Sequence, residues 1–248
     1  MIIPKHMIST QSMIDFIRFI VGFSVLFYAS YTDLKIRRAS NSLWLTMGGI
    51  GGILLITEYF LFNGFGNQVM YLVFIPVIII IMYVFFQLRL LFGGADAKAM
   101  MAIAILVPFT PAFFSFPLYT SVMPFSWVIF SNAIILFLLI PLGLLIYNIS
   151  KKNVTFPHCL LGYRMKLDEA RKKFVWPLEH IINDELKISY VPHSIDPKDQ
   201  FDAFEKKGIK EIWVTPKIPF MIPLLAGFIC AFFLGDILLF ITHLLTGI

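Results

Sequence analysis

The sequence predicts an all-α polytopic membrane protein: six transmembrane helices, with a small cytoplasmic α/β insert between helices five and six. Three observations predict it. Of the 248 residues, 58% are hydrophobic and 14% are charged, where a soluble domain carries about 25% charged residues. Mean hydropathy is +0.83. Lys and Arg also fall almost entirely in alternate loops, the bias that orients membrane helices.

A helix needs about 20 apolar residues to cross a bilayer. Six runs approach that length, at roughly 12–32, 43–62, 68–91, 97–114, 123–149 and 218–246. The first lacks a small-residue cleavage site and others follow it, so it reads as a retained span and not a signal peptide. The second opens at Asn41 and Ser42, either of which caps it. The third contains Pro76, expected to kink the helix without ending it. The fourth is short, starts at Gly93-Gly94-Ala95-Asp96 and holds Pro108 and Pro111. Between the last two runs the segment 150–217 has the composition of a small soluble domain. There Lys187–Val191 and Lys210–Val214 predict short strands. Pro197–Lys207 predicts a helix, with Asp196 as its N-cap and Gly208 at its end. The expected organisation is therefore 1–149 as helices one to five, 150–217 as the insert and 218–248 as helix six.

Loop charges set the direction. Lys35, Arg37 and Arg38 follow the first run, Arg89 and Lys98 flank the join of the third and fourth, and many basic residues populate 150–217. The loops at 63–67 and 115–122 hold no Lys or Arg, and only Lys5 and Arg18 lie on their side. The N- and C-termini are thus predicted outside, and the insert in the cytoplasm, of a multi-pass cell-membrane protein. The net charge of +5 sits beside apolar runs, so topology and membrane lipids account for it and nucleic acid is not expected. Two cysteines, Cys159 and Cys230, are too few for a disulfide framework or a structural zinc site. His158 beside Cys159 has no partners at metal-ligand spacing, so no metal is expected.

This topology sorts the carboxylates. Ten of the fifteen acids lie in the insert. Asp15 and Glu58 fall near the outer face; Asp236 falls in the outer part of the sixth run. Asp15 and Arg18 are spaced to pair on one helix, Glu58 reads as interfacial, and Asp236 as a polar packing or outer-mouth residue. Only Asp33 and Asp96 fall at the cytoplasmic face. Ionisable groups at membrane depth are costly and by default functional. Peptide hydrolysis needs an activated water and a proton donor for the leaving amine, and two carboxylates sharing one proton supply both. Gly93 and Gly94 let a substrate strand approach closely. Asp96 sits where a helix begins, near an N-cap. Lys98 is placed to orient a carboxylate or a phospholipid head group, and Asn41 to close the loop carrying Asp33 and Lys35. Read singly, a Gly-Gly-x-Asp turn is an ordinary helix start and Asp33 an interfacial residue; the pair at one face favours chemistry. No His-Glu-x-x-His or Gly-x-Ser-x-Gly pattern offers another protease chemistry.

These residues resemble a known family. Asp33-Leu34-Lys35-Ile36-Arg37-Arg38-Ala39-Ser40-Asn41 is similar to the first aspartate motif of the type IV prepilin peptidases, and Gly93-Gly94-Ala95-Asp96-Ala97-Lys98 to their Gly-x-Gly-Asp motif. Leu160–Arg164, Val175–Glu179 and Ile212–Phe220 resemble the archaeal preflagellin peptidase branch. The resemblance covers nearly the whole chain. It implies six membrane helices, and catalytic aspartates Asp33 and Asp96 at the cytoplasmic face. It implies cleavage of short basic leader peptides from preflagellins and type IV pilin-like proteins, after a small residue just before the substrate's apolar helix. No cofactor is implied. Ala95 replaces the second motif glycine, so the turn must use a conformation Ala can hold. Ser40 stands where bacterial relatives often carry Pro. The bacterial methylating domain's cysteine cluster is missing, so peptidase activity without N-methylation is expected. The presenilin-type Pro-Ala-Leu motif is missing as well.

The alternative from another class is a small proton- or ion-coupled transporter using the same two aspartates. Transporters place such groups near the midplane, often between inverted repeats, whereas here both lie at one edge and no repeat is evident. A membrane scaffold whose insert binds a partner is a third reading, and it makes both aspartates dispensable. The oligomeric state is not fixed by the sequence.

Overall fold

A computed structural model of the chain describes residues 5–88, 93–112, 115–173, 175–182, 185–188 and 197–247. The chain is mostly helical, with a small sheet in its C-terminal part. It divides into two compact units, one of residues 1–137 with 219–248 and one of residues 138–218. Among the described residues four helices are long and apolar enough to cross a membrane: Thr10–Ile36, Asn41–Phe62, Gly66–Gln87 and Phe125–Ser150.

The first unit opens with α1 (Lys5–Ile36) and α2 (Asn41–Phe62). A 3₁₀ stretch, Gly66–Val73, leads into α3 (Phe74–Gln87). Pro76 therefore lies in the first turn of α3 and not at a kink within a longer α-helix. It stands where the 3₁₀ hydrogen-bond pattern gives way to the α pattern. Helix α4 (Gly94–Leu106) ends before Pro108, and α5 (Phe125–Ser150) follows. The outward faces of these helices are apolar: Phe27, Leu45, Phe60 and Ile80 are all exposed. Hydrophobicity all round a helix is expected where the surroundings are lipid.

Helix α4 is the centre of this unit. Ala97, Ala99, Met100, Ala102, Ile103, Ala104 and Leu106 are all buried, and α4 packs chiefly on α2 and α3. Small side chains allow such close backbone approach. At Gly51 of α2 an added Cβ would lie 2.6 Å from Leu106 Cα and 2.8 Å from its amide nitrogen. Gly49, one residue pair earlier, has nothing within 4 Å. Gly51→Ala is expected to destabilise the unit by about 1–3 kcal/mol, while Gly49→Ala leaves melting in detergent unchanged or slightly raised. Equal melting of the two variants would disprove the tight contact.

The last apolar run is not one helix. It forms α9 (Met221–Phe233) and α10 (Ile237–Thr246), broken at Gly235. Gly235 has φ 93°, and its Cα faces the Tyr119 carbonyl so closely that no Cβ fits. Asp236 is the N-cap of α10, its Oδ1 accepting from the Leu238 and Leu239 amides at 3.0 and 3.4 Å. Buried Asn132 secures the break: its Nδ2 donates to Gly235 O at 2.7 Å, and its Oδ1 accepts from Ile237 N–H at 3.0 Å. The backbone groups freed by the break are thus satisfied, as a nonpolar setting requires. Helix α9 packs on α1, with Phe19 against Phe228 and Phe232 at ring separations of 6.0 and 5.1 Å.

The second unit holds the end of α5, then α6 (His158–Leu161), β1 (Tyr163–Lys166), α7 (Leu167–Ala170) and β2 (Val175–Pro177). It continues with β3 (Glu179–Ile182), β4 (Glu185–Ile188), α8 (Pro197–Lys206) and β5 (Glu211–Pro216). Strands β1, β5 and β2 form an antiparallel sheet in that order, and β3 pairs with β4. Phe201 and Phe204 of α8 share a core with Met165, Ile212 and Val214 of the sheet. The predicted strands start at Glu185 and Glu211, and the predicted helix at Pro197. Gly208 ends that helix region with φ 69°; its expected cap Asp196 lies outside the described residues, as do Ser189, Tyr190 and Val191 of the first predicted strand. His158 is buried and packs on Trp213, ring centroids 5.6 Å apart, while Cys159 and Cys230 are free thiols.

Candidate active site

Asp33 lies in the last turn of α1. That helix ends at Ile36 because Arg37 turns into the left-handed region, φ 56°, with its N–H still donating to Asp33 O at 3.1 Å. The charge of Arg37 acts on the half-buried Asp33 carboxylate. The cap of α2 is Ser40, whose Oγ accepts from Ser42 N–H at 3.3 Å; neither Asn41 nor Ser42 is the cap. This frees the Asn41 side chain, and its Oδ1 accepts from Lys98 Nζ at 2.8 Å. Lys98 thus ties the loop after Asp33 to α4. Lys35 extends over the Tyr31 ring at 5.8 Å and forms no ion pair among the described residues.

Asp96 stands in the first turn of α4. The N-cap is Gly93, in an extended conformation at φ −119°, and Asp96 N–H donates to Gly93 O at 3.1 Å. Ala95 is helical, so the Gly-Gly-Ala-Asp turn requires no positive φ at that residue. What Gly93 supplies is space. A Cβ there would lie 2.7 Å from Asp96 Oδ2 and 3.3 Å from its Cγ. Gly94 lies against Phe86, 3.1 Å from its ring for an added Cβ. Gly93→Ala is expected to leave the fold intact, since φ −119° suits any residue, but to displace the Asp96 carboxylate. A misplacement of about 1 Å costs on the order of 100-fold in rate; unchanged turnover would show that Asp96 geometry is not critical.

Asp33, in the last turn of α1, and Asp96, in the first turn of α4, lie within electrostatic reach of one another, and the charge of Asp33 acts on Asp96. The other acids outside the insert have structural partners. Asp236 caps α10. Asp15 and Glu58 both pair with the fully buried Arg18, at 3.0 and 2.6 Å. The pairing of Asp15 with Arg18 is as their spacing predicts. Glu58, read from the sequence as interfacial, is instead buried at 3% exposure in this cluster. Beside Lys98 an apolar groove of about 670 Å³ runs between α2 and α4, over Trp44, Gly48, Met101, Ala102 and Ile105. Its lining comes from two helices distant in sequence, so no local pattern marks it.

Residues 20–147, just over half of the chain, match the type IV leader peptidase family. The chain belongs to that family. Residues 155–237 further match the type II C-terminal region of archaeal A24 peptidases, so both recognised regions lie in leader peptidase-type proteins. The chain is similar to the preflagellin peptidase of Methanococcus voltae, 29% identical over 243 residues, covering 89% of this chain and 96% of that protein. It is also similar to those of Methanocaldococcus jannaschii, 29% identical with 89% and 94% covered, and Methanococcus maripaludis, 26% identical with 89% and 96% covered. The leader peptidase family match spans both aspartate motifs, from Asp33 to Lys98.

Proposed function

We propose that this membrane peptidase is an aspartic endopeptidase that removes short basic leader peptides from preflagellins and related type IV pilin-like proteins. Asp33 and Asp96 are its catalytic pair. The observation that carries the reading is that, among the carboxylates of the helical unit, these two neither cap a helix through their side chains nor join the buried Arg18 cluster, and the charge of Asp33 acts on Asp96. The preflagellin peptidases it resembles along most of their length support the substrate class.

In this mechanism one carboxylate takes a proton from water as the water oxygen bonds to the scissile carbonyl carbon. The protonated partner polarises the carbonyl, then protonates the nitrogen as the carbon–nitrogen bond breaks. The products are a leader ending in a carboxylate and a mature protein beginning with an amine. The two acids titrate as one coupled unit. Lys98, held by Asn41, positions the loop and helix that carry them, and Gly93 and Gly94 leave room for an extended substrate backbone. No metal or organic cofactor enters this scheme.

The same reading takes the chain as six spans, with α4 and the α9–α10 pair as the fourth and sixth. The N-terminus is outside, and the catalytic pair and residues 150–217 are on the cytoplasmic side. A leader held in the cytoplasm would then meet the pair while its apolar helix enters the bilayer. The test is leader removal in membranes from a preflagellin-like protein with a Lys/Arg-Gly junction, read by gel shift and N-terminal sequencing. A new N-terminus at that junction is expected. Correctly inserted protein that leaves the substrate intact but conducts protons or ions would establish the transporter reading instead.

A further inference from the structure

The second unit contains a polar pocket that the proteolytic reading leaves unused. It has a volume of about 290 Å³ and lies where the end of α5 meets β1. Four cationic side chains line it, Lys151, Arg164, Lys166 and Lys173, against two carboxylates, Glu169 and Glu211. Glu169 engages Lys173 at 3.4 Å, and Glu211 lies across the strand pair from Lys166. Lys151 and Arg164 have no carboxylate at ion-pair distance among the described residues; Arg164 instead lies over the Trp213 ring at 5.8 Å. The pocket therefore carries a net positive charge, which suits an anion and repels a basic leader peptide.

A second, independent feature narrows the ligand. Asn148, 1% exposed, lines the same pocket. Its Nδ2 donates to the carbonyls of Cys159 and Gly162, at 2.9 and 2.7 Å. Two carbonyl partners fix which end of the amide is nitrogen. Its Oδ1 is then a buried acceptor with no hydrogen-bond partner. An unmet buried acceptor is costly, and it calls for a donor such as a hydroxyl. Tyr163 adds a phenol that burial pushes above its ordinary pKa, with Lys173 opposing, so it remains a donor at neutral pH. Position supplies the third argument. Tyr147 and Asn148 belong to the last turn of α5, and Lys151 follows it directly. Helix α5 is one of the four long enough to span a membrane. A tyrosine and a lysine at such a helix end lie at head-group level. The strand residues that build the pocket, Tyr163 and Arg164, belong to the Leu160–Arg164 motif, whose role the two aspartates do not explain.

We propose that this pocket binds the head group of a polyol phospholipid, its phosphate held by Lys151, Arg164 and Lys166 and a head-group hydroxyl donating to Asn148 Oδ1. The site concerns lipid recognition and stands whether or not the chain proves to be a protease. Basic residues near an anionic lipid are each worth roughly fivefold in affinity. Native mass spectrometry of the full chain in detergent, titrated with phosphatidylglycerol, phosphatidylethanol and phosphatidylcholine, tests it. Phosphatidylglycerol is expected to bind about tenfold or more tighter than phosphatidylcholine and detectably tighter than phosphatidylethanol, which has the phosphate without the hydroxyls. The double variant Lys151→Gln/Arg164→Gln should lose on the order of 30-fold of that affinity at unchanged melting temperature. Should that variant not fold, Lys151→Gln alone, at an exposed position after the helix, should lose roughly fivefold. Unchanged phosphatidylglycerol binding in a folded variant, or equal binding of phosphatidylcholine, overturns the site. Equal binding of phosphatidylethanol overturns the hydroxyl contact. Displacement of the lipid by equimolar glycerol 3-phosphate would assign the pocket to a soluble phosphate and overturn the lipid assignment.

Discussion

Asp96→Asn is expected to abolish leader removal, with a loss on the order of 100- to 10,000-fold or more, while the protein still inserts and melts as the wild type does. Asp33→Asn is expected to have the same effect, and the double variant to be no worse than either single one. Non-additivity is the discriminating feature. Groups acting as one unit in a single transition state lose the whole effect when either is removed. Two acids contributing separately to substrate binding would instead give losses that multiply. Asn preserves the size of the side chain and an acceptor oxygen, but it neither takes a proton from water nor delivers one to nitrogen. The structural environment supports retention of the fold. Asp96 uses its backbone N–H, not its carboxylate, in the bond to Gly93 O. Asp33 likewise contributes its carbonyl to the Arg37 turn. The assay is initial processing rate in membranes at matched expression, alongside melting in detergent. Full processing by either folded single variant would remove that aspartate from the chemistry.

The parts of this arrangement that were legible in the sequence are those written in local signals. Long apolar runs show as helices because burial in lipid demands a continuous apolar surface; α2 and α5 follow their predicted limits closely, while α1 extends beyond its run at both ends. The Gly-Gly-Ala-Asp turn shows as a helix start. Elements decided by partners distant in sequence were less legible. Strand β1 is short and exists through its register with β5, Arg164 opposite Trp213. The break at Gly235 is held by Asn132 and Tyr119, both far upstream. A Gly-Asp pair inside an apolar run is a signal for such a break, since Asp is a strong N-cap. Glu58 looked interfacial because its partner Arg18 lies on another helix, and periodicity within one run carries no information about the next.

Arg18→Met should be the most destabilising single change in the helical unit, at about 3–5 kcal/mol. Arg18 is fully buried and sends separate guanidinium nitrogens to separate acids, Nη1 to Asp15 at 3.0 Å and Nη2 to Glu58 at 2.6 Å. Removing it leaves two buried carboxylates facing one another without a counter-charge. The remaining donors are weak substitutes: Gln11 Nε2 reaches Glu58 at 2.9 Å, and the Ala112 amide reaches Asp15 at 2.8 Å. Those bonds also explain the breadth of the effect, because the cluster joins α1, α2 and the segment after α4. Arg18 lies about 22 Å along α1 from Asp33, so the cluster ties α1 to α2 and to the segment after α4 at the end of α1 away from Asp33. Arg18→Lys should recover little, since one ammonium on a shorter reach cannot reproduce two bonds from a planar fork. The triple variant Arg18→Met, Asp15→Asn, Glu58→Gln removes the charges together and keeps the acceptors for Gln11 and Ala112. It should melt well above Arg18→Met alone, because the cost of that single change is the uncompensated charge and not the lost attraction. Melting in detergent orders the variants. Wild-type melting for Arg18→Met, or a triple variant no better than the single, would show that packing around α1 and not the ion cluster holds this end together.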